Sequence, residues 1–354
     1  MSRFFSEKYA KLVPYTPGEQ PRERKYIKLN TNESPFPPSP QAVRRAAEEA
    51  ERLQLYSDPT CADLVQAACA ELGVRPDEIL FTNGSDEILN FAFMAFADAG
   101  RPAYFADVTY GFYPVFADLN GVPYEEIPLC EDFSIRPEDY FGKKGLVVIA
   151  NPNAPTGLLL PLEQIERIAA ANPESVVLVD EAYIDFGGQS ALPLIRRYDN
   201  LLVVQTFSKS RSMAGARLGF GAGNPALIRD LNTIKYSVNP YNVNRMTMAA
   251  GVGALEDEAY FRACCAEIIE NRAWTLEKLR ALGFEAIDSM ANFVFARHGA
   301  VPGAEIYARL REKGVLVRHF DKPRLRDYNR ITIGSAEQMQ ALIGAMEEIL
   351  GETR

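Results

Sequence analysis

Apolar residues in the first two-thirds of the chain come in short unbroken runs. LVVIA (146–150), VVLVD (176–180) and LLVVQT (201–206) do not alternate with polar residues, which is the pattern of strands buried on both faces of a parallel sheet. Between the first two lies LEQIERIAAA (162–171), with helical character, so strand, helix and strand follow one another as an α/β domain requires. Upstream, EILFT precedes SDEILNFAFMAFADAG and PAYFA precedes YGFYPVFADLNG, two further units of the same kind. The pattern predicts a large α/β domain over residues 45–245, built on a doubly wound, mostly parallel sheet.

After Asn242 the pattern changes. DEAYFRACCAEIIENRAWTLEKLRALG reads as one long helix, and the short runs NFVFAR and RITIG follow as strands. Near the end Met339, Leu342, Ile343, Met346 and Leu350 share one helical face, with Ser335 and Gln338 at capping-box spacing. A smaller α+β domain over 246–354 is expected. The first 44 residues are rich in proline and polar groups (PYTPGEQPRER, NESPFPPSP) and predict an extended arm rather than a packed element.

Composition narrows the function. With 47% hydrophobic and 24% charged residues the chain is an ordinary globular one, and 354 residues exceed what one core usually spans. Thirty-eight basic against 47 acidic residues leave a net charge of −9, the wrong sign for neutralising a nucleic-acid backbone. The N-terminal stretch has no run like a signal peptide's and no stretch is apolar enough to span a bilayer, so a cytoplasmic location is expected. Cys61, Cys69, Cys130, Cys264 and Cys265 lack CxxC spacing, and only His298 and His319 offer imidazole; neither a disulfide framework nor a metal site is suggested.

Ligands of a doubly wound sheet gather at the carboxyl ends of its strands. Here those ends lead into NPNAPTG (151–157), into Asp180-Glu181-Ala182-Tyr183, and into Ser208-Lys209. An amide, a carboxylate, a phenol and an amine would converge on one crevice. A pyridine ring with a protonated nitrogen wants the carboxylate, a phenolic oxygen wants donors, and an aldehyde wants the amine; together these describe pyridoxal phosphate. TNGSDE (82–87) puts Gly84, Ser85 and Asp86 at the start of a predicted helix, where free N–H groups favour a phosphate. Arg217, Thr206 and Ser208 could add charge-assisted bonds. Singly, each fragment has a plainer reading as a turn, a cap or a surface lysine. Their order, each following its own buried strand, is what those readings do not explain.

The motifs PYTPGE (14–19), KLNTNESPFPPSP (28–40), LYSDP (55–59), TNGSDE, VTYGFY (108–113), NPNAPTG, VDEAY (179–183), SKSRSMAGARLG (208–219) and RITIG (330–334) span nearly the whole chain. Together they resemble the fold-type I pyridoxal phosphate-dependent aminotransferases. The resemblance implies that Lys209 joins the cofactor aldehyde, that Asp180 pairs with the pyridinium nitrogen, and that Asn153 and Tyr183 bond the phenolic oxygen. It implies Tyr110 on the ring face, and Gly84, Ser85, Asp86, Thr206, Ser208 and Arg217 around the phosphate. Tyr56 would reach a neighbouring cofactor across a homodimer interface. Tyr15, Asn153, Arg318 and Arg330 would meet substrate, Arg330 gripping its anionic end. Two departures stand out: Ala154 where the family often has Asn, and Phe36-Pro37 where a Tyr-Gly pair is common.

Within that group the likeness implies exchange of an amino group between L-histidinol phosphate and 2-oxoglutarate in histidine biosynthesis. An aromatic or broad-range aminotransferase and a threonine-phosphate decarboxylase of the same fold remain open. A non-catalytic descendant would be free to lose Lys209 or Asp180, and both are present.

Overall fold

The chain of the computed structural model, described over residues 2–352, starts as an irregular arm with one short strand, β1 (Ile27–Lys28), followed by helices α1 (Pro40–Ala50) and α2 (Ala62–Leu72). The elements β2 (Ile79–Thr82), α3 (Ser85–Phe96), β3 (Ala103–Ala106), α4 (Tyr113–Asn120) and β4 (Tyr124–Ile127) come next. Then follow β5 (Leu146–Ala150), α5 (Leu162–Ala171), β6 (Val176–Asp180), β7 (Leu201–Thr206), β8 (Gly219–Gly223) and α6 (Pro225–Val238). Strands β2 to β8 form one seven-stranded sheet in the order β2-β8-β7-β6-β5-β3-β4. Only β8 runs antiparallel to its neighbours, so the sheet is mostly parallel as expected.

The three apolar runs are the middle of this sheet. Every residue of β5 and β7 is buried, and so are four of the five in β6; each Val, Leu or Ile removed from water contributes about 1.5–3 kcal/mol. Their register is level, with Ala150 beside Asp180 and Asp180 beside Val204. The level register brings the segments after all three strands to one edge. Strand β8 reads GFGAG because α3 lies directly on it: a Cβ on Gly219 would come within 2.4 Å of the Ser85 nitrogen, and one on Gly221 within 2.8 Å of Ile88.

The second part of the chain comprises α7 (Arg245–Glu256), α8 (Glu258–Ala281), β9 (Phe284–Ala286), β10 (Phe293–His298), α9 (Gly303–Glu312), β11 (Val315–Leu316), β12 (Arg318–His319), β13 (Tyr328–Thr332) and α10 (Ala336–Glu352). An antiparallel sheet, β12-β13-β10-β9, is its platform. Helix α10 begins with the capping box read in the sequence: the Ser335 N–H donates to Gln338 Oε1 at 3.0 Å and the Gln338 N–H to Ser335 Oγ at 3.4 Å. Met339, Leu342, Ile343 and Met346 are buried in the small core, with Leu350 at its margin.

The arm is more firmly held than its composition predicts. β1 pairs in parallel with β11, Leu29 is buried in the small core, and Asn30 and Asn32 are buried with it. Two strand residues carry too short a pattern to stand out in a proline-rich stretch. The expected divisions at 44/45 and 245/246 fall inside α1 and at the first bond of α7. Those helices pack side by side, and α7 buries Ala250, Val252, Ala254 and Leu255 in the large core. We propose that the large domain includes both helices and that the small one starts at α8.

Candidate active site

Asp180 ends β6 and faces a chamber of about 260 Å³ at the carboxyl edge of the large sheet. The carboxylate is 5% exposed. Its Oδ2 accepts from the Tyr113 hydroxyl at 2.7 Å and its Oδ1 from the Ala182 N–H at 3.2 Å. Burial pushes its pKa up to about 6 despite both donors. Across the chamber, Lys209 Nζ donates to the Thr31 carbonyl at 3.2 Å. Burial, reinforced by the positive charge of Arg330, lowers this amine to about 8.

The anion end is the start of α3. Gly84 is its N-cap at φ +81°, and Ser85 and Asp86 are its first two residues, whose N–H groups have no carbonyl one turn back to bond. Arg217, itself left-handed at φ +57°, brings Nη2 to 3.0 Å from Asp86 Oδ2. Tyr110 donates to the other oxygen of Asp86 at 2.9 Å. A Cβ on Gly84 would sit 2.5 Å from Arg217 Nη2, so the glycine makes room for the guanidinium. Thr206 and Ser208 line the same end, with their hydroxyls 3.0 Å apart.

A second chamber of about 560 Å³ opens outward. Thr31, Tyr110, Ala154, Tyr183 and Lys209 line both spaces, so the amine stands in the dividing wall. The Tyr183 hydroxyl accepts from Asn32 Nδ2 at 2.9 Å, and Lys209 Nζ lies 5.9 Å from its ring centre. Tyr15 lines the outer space, 4.6 Å ring to ring from Phe112. Arg330 donates from Nη2 to the Asn30 carbonyl at 3.0 Å, while its Nε is buried without a partner among the described residues. Arg318 donates to the carbonyls of Thr16 (3.2 Å) and Pro17 (3.3 Å). An unpaired buried donor and two cations in one space call for an anion.

Two expected residues are not brought to these chambers. Asn153 spends both amide hydrogens inside the protein, on the Val108 carbonyl at 3.0 Å and Thr156 Oγ1 at 3.1 Å; its neighbours Pro152 and Ala154 line the inner space instead. Tyr56 is 81% exposed and stacks on Tyr241 at 4.7 Å. A larger hollow, about 720 Å³, lies between α1, α2 and α7 and includes none of the predicted site residues; volume does not follow chemistry in this chain.

Sequence reading missed four residues here. Glu33, paired with Lys28 at 2.7 Å, lines the inner chamber, Thr31 lines both, Asn32 holds Tyr183, and Tyr113 holds Asp180. The signal for the first three was the motif TNES itself. Tyr113 lay in the motif VTYGFY, but an aromatic at the start of a predicted helix reads as core.

The donor set fits pyridoxal phosphate: an amine near neutrality, a buried carboxylate for a ring nitrogen, a phenol, and a helix start with Arg217, held by Asp86, beside it. Among the described residues there is no group of three side chains able to hold a metal ion, and no helix is long and apolar enough to cross a membrane.

Residues 24–346 match the family described as aminotransferase class I and II. The chain is 49% identical over 357 residues to histidinol-phosphate aminotransferase 2 of Dechloromonas aromatica, covering 99% of this chain and 100% of that one. It is 50% identical over 347 residues to histidinol-phosphate aminotransferase of Pseudomonas putida, covering 98% and 100%. Its fold superposes on a crystal structure of histidinol-phosphate aminotransferase from Sinorhizobium meliloti in complex with pyridoxal-5'-phosphate, with a TM-score of 0.90 at 24% identity, covering 100% of this chain and 99% of that one.

Proposed function

The chain belongs to the class I and II aminotransferase family, and from that premise we propose that it exchanges an amino group between L-histidinol phosphate and 2-oxoglutarate, with pyridoxal 5'-phosphate as cofactor, in histidine biosynthesis. Relatives about half identical over nearly their whole length carry that name. One observation supports the reading in the structure: Lys209 stands in the wall between a chamber lined by Asp180, Ser208 and Arg217 and one holding Arg318 and Arg330.

Arg217, Thr206, Ser208 and the N–H groups of Ser85 and Asp86 would hold the phosphate, with Gly84 giving them room. Asp180, ionised above about 6, would accept from the ring nitrogen. Tyr183 would bond the phenolic oxygen, and Tyr110 would cover the ring. Asn153 would join only by giving up one of its present bonds. Bound pyridoxal phosphate supplies an electron sink for the pair left when the Cα–H bond of the substrate breaks. Lys209 Nζ, lowered to about 8, is neutral often enough near pH 7 to take that proton as a general base. Arg330 and Arg318 orient the substrate, since a guanidinium fork binds carboxylate or phosphate alike. That shared preference lets glutamate and a phosphate monoester use one place.

The active unit in this reading is a homodimer. The exposed Tyr56 and Tyr241, with exposed Leu53 and Leu55 nearby in sequence, are apolar surface that a second copy would cover, and Tyr56 would reach the partner's inner chamber. The substrates are small molecules, and the proposed location is cytoplasmic.

The test is an assay of glutamate formed from histidinol phosphate and 2-oxoglutarate, run beside carbon dioxide release from threonine phosphate and amino transfer from aromatic amino acids. Transfer from histidinol phosphate at the highest kcat/KM is expected. Decarboxylation without transfer, or preference for an aromatic amino acid, overturns the substrate; sedimentation as a monomer overturns the dimer.

A further inference from the structure

Tyr113 is the first residue of α4 and is fully buried. Its ring sits edge-on to Tyr110 at 5.6 Å and 5.7 Å from Phe105, and it lines neither chamber. A buried phenol needs a hydrogen-bond partner, and among the described residues this one has a single partner, Asp180 Oδ2 at 2.7 Å. Asp180 in turn has little else. Its second bond, from the Ala182 N–H, is longer at 3.2 Å, and among the described residues it forms no salt bridge. The other ionisable groups that face the pair are Asp86, Tyr110 and Tyr183 and, across the inner chamber, Glu33, Lys209 and Arg217, and neither of the two cations is within salt-bridge distance of Asp180 among the described residues.

We propose that Tyr113 is a positioning residue for the reaction: by donating to Oδ2 it keeps the Asp180 carboxylate ionised in a buried place and leaves the rest of that carboxylate facing the inner chamber. The inference rests on the reading that this chamber takes pyridoxal phosphate. A carboxylate and a ring nitrogen facing each other compete for one proton. Whatever raises the carboxylate's hold on a proton weakens its hold on a protonated ring. Removing a short bond to a charged acceptor does this without altering any group that touches the cofactor.

The variant is Tyr113→Phe, which keeps the ring, with Phe105→Leu as a packing control. The holoprotein's visible absorbance is titrated with pH, and cofactor affinity is measured by equilibrium dialysis. In wild type the yellow form is expected to fade with rising pH, as a nitrogen joining Lys209 to the cofactor would lose its proton. In Tyr113→Phe the fading is expected about one pH unit higher and the cofactor Kd about tenfold weaker, because a ring nitrogen less often protonated repels that second proton less. The control changes thermal stability but not the midpoint. In an Asp180→Asn background, Tyr113→Phe is expected to add no further shift. If the Phe variant does not accumulate folded, Tyr113→Leu carries the same expectation. An unchanged midpoint and Kd in a folded variant, or an equal shift without the Asp180 carboxylate, overturns the proposal. A wild-type protein that takes up no cofactor overturns the functional reading instead.

Discussion

Arg318 and Arg330 are direct cross-strand partners on β12 and β13, so two guanidinium groups rise from one face of the small sheet into the outer chamber. Like charges directly opposite on a sheet are unfavourable, and burial together with the charge of Arg318 holds Arg330 below the usual guanidinium range. An anion between them relieves that conflict. Arg330→Ala is expected to raise KM for both glutamate and histidinol phosphate by about 10- to 100-fold, the effect of losing hydrogen bonds to a charged group. Arg318→Ala is expected to act mainly on the phosphorylated substrate. Steady-state kinetics on both substrates checks the split.

Lys209 should be separable from cofactor binding. Lys209→Ala is expected to lower turnover by about 10²–10⁴-fold or more while retaining cofactor, because the phosphate is held at the start of α3. Borohydride should fix the cofactor to wild type and not to the variant, which mass spectrometry reads directly.

The same amine sets a pH dependence. Its pKa lies at about 8 rather than the ordinary 10.5, and the neutral form attacks an aldehyde. The rate at which the apoprotein turns yellow on adding pyridoxal phosphate should therefore rise with pH and level off above about 8. A rate still climbing at pH 10 would contradict the lowered value.

Gly84→Ala strains a left-handed residue and pushes its methyl group toward Arg217. An L side chain at positive φ costs about 1–2 kcal/mol, and denaturant unfolding of the apoprotein should show that loss. Cofactor affinity should fall as well, since the guanidinium must move from the phosphate end. Equilibrium dialysis tests this.

Glu181 lies next to Asp180 but is buried away from both chambers, accepting from Ser190 Oγ at 2.6 Å, Ala191 N–H at 2.6 Å and Gln205 Nε2 at 2.8 Å. Burial raises it from 4.5 to about 7. Between those values the folded chain keeps a proton that the unfolded chain has released, so this group's contribution to stability falls as pH rises through the window. Glu181→Gln removes its titration and should lessen the dependence of the thermal midpoint on pH from about 4.5 to 7, most plainly between about 6 and 7, above the Asp180 window.

The middle of the large sheet was legible because β5, β6 and β7 bury both faces and each carries an unbroken apolar run. β8 was not. Its glycines answer to the closeness of α3, a tertiary demand with no local signature. β4 was hidden for the opposite reason: YEEI is an edge strand with three exposed residues. At the candidate site, residues just past strand ends were readable from position and residue type. Contacts between segments far apart in sequence, such as Tyr113 with Asp180 or Asn32 with Tyr183, depend on how the layers stack. The opposition of Arg318 and Arg330 likewise needed the strand register.

The pairing of β1 with β11 joins opposite ends of the chain, and the segment just after β1 supplies the Thr31 carbonyl that Lys209 bonds. A nascent chain therefore releases its arm long before the strand that receives it has been synthesised. Contacts so distant in sequence form late. Docking of the arm should be among the last events of folding, and it completes the wall around the reactive amine only when the rest of the protein is in place.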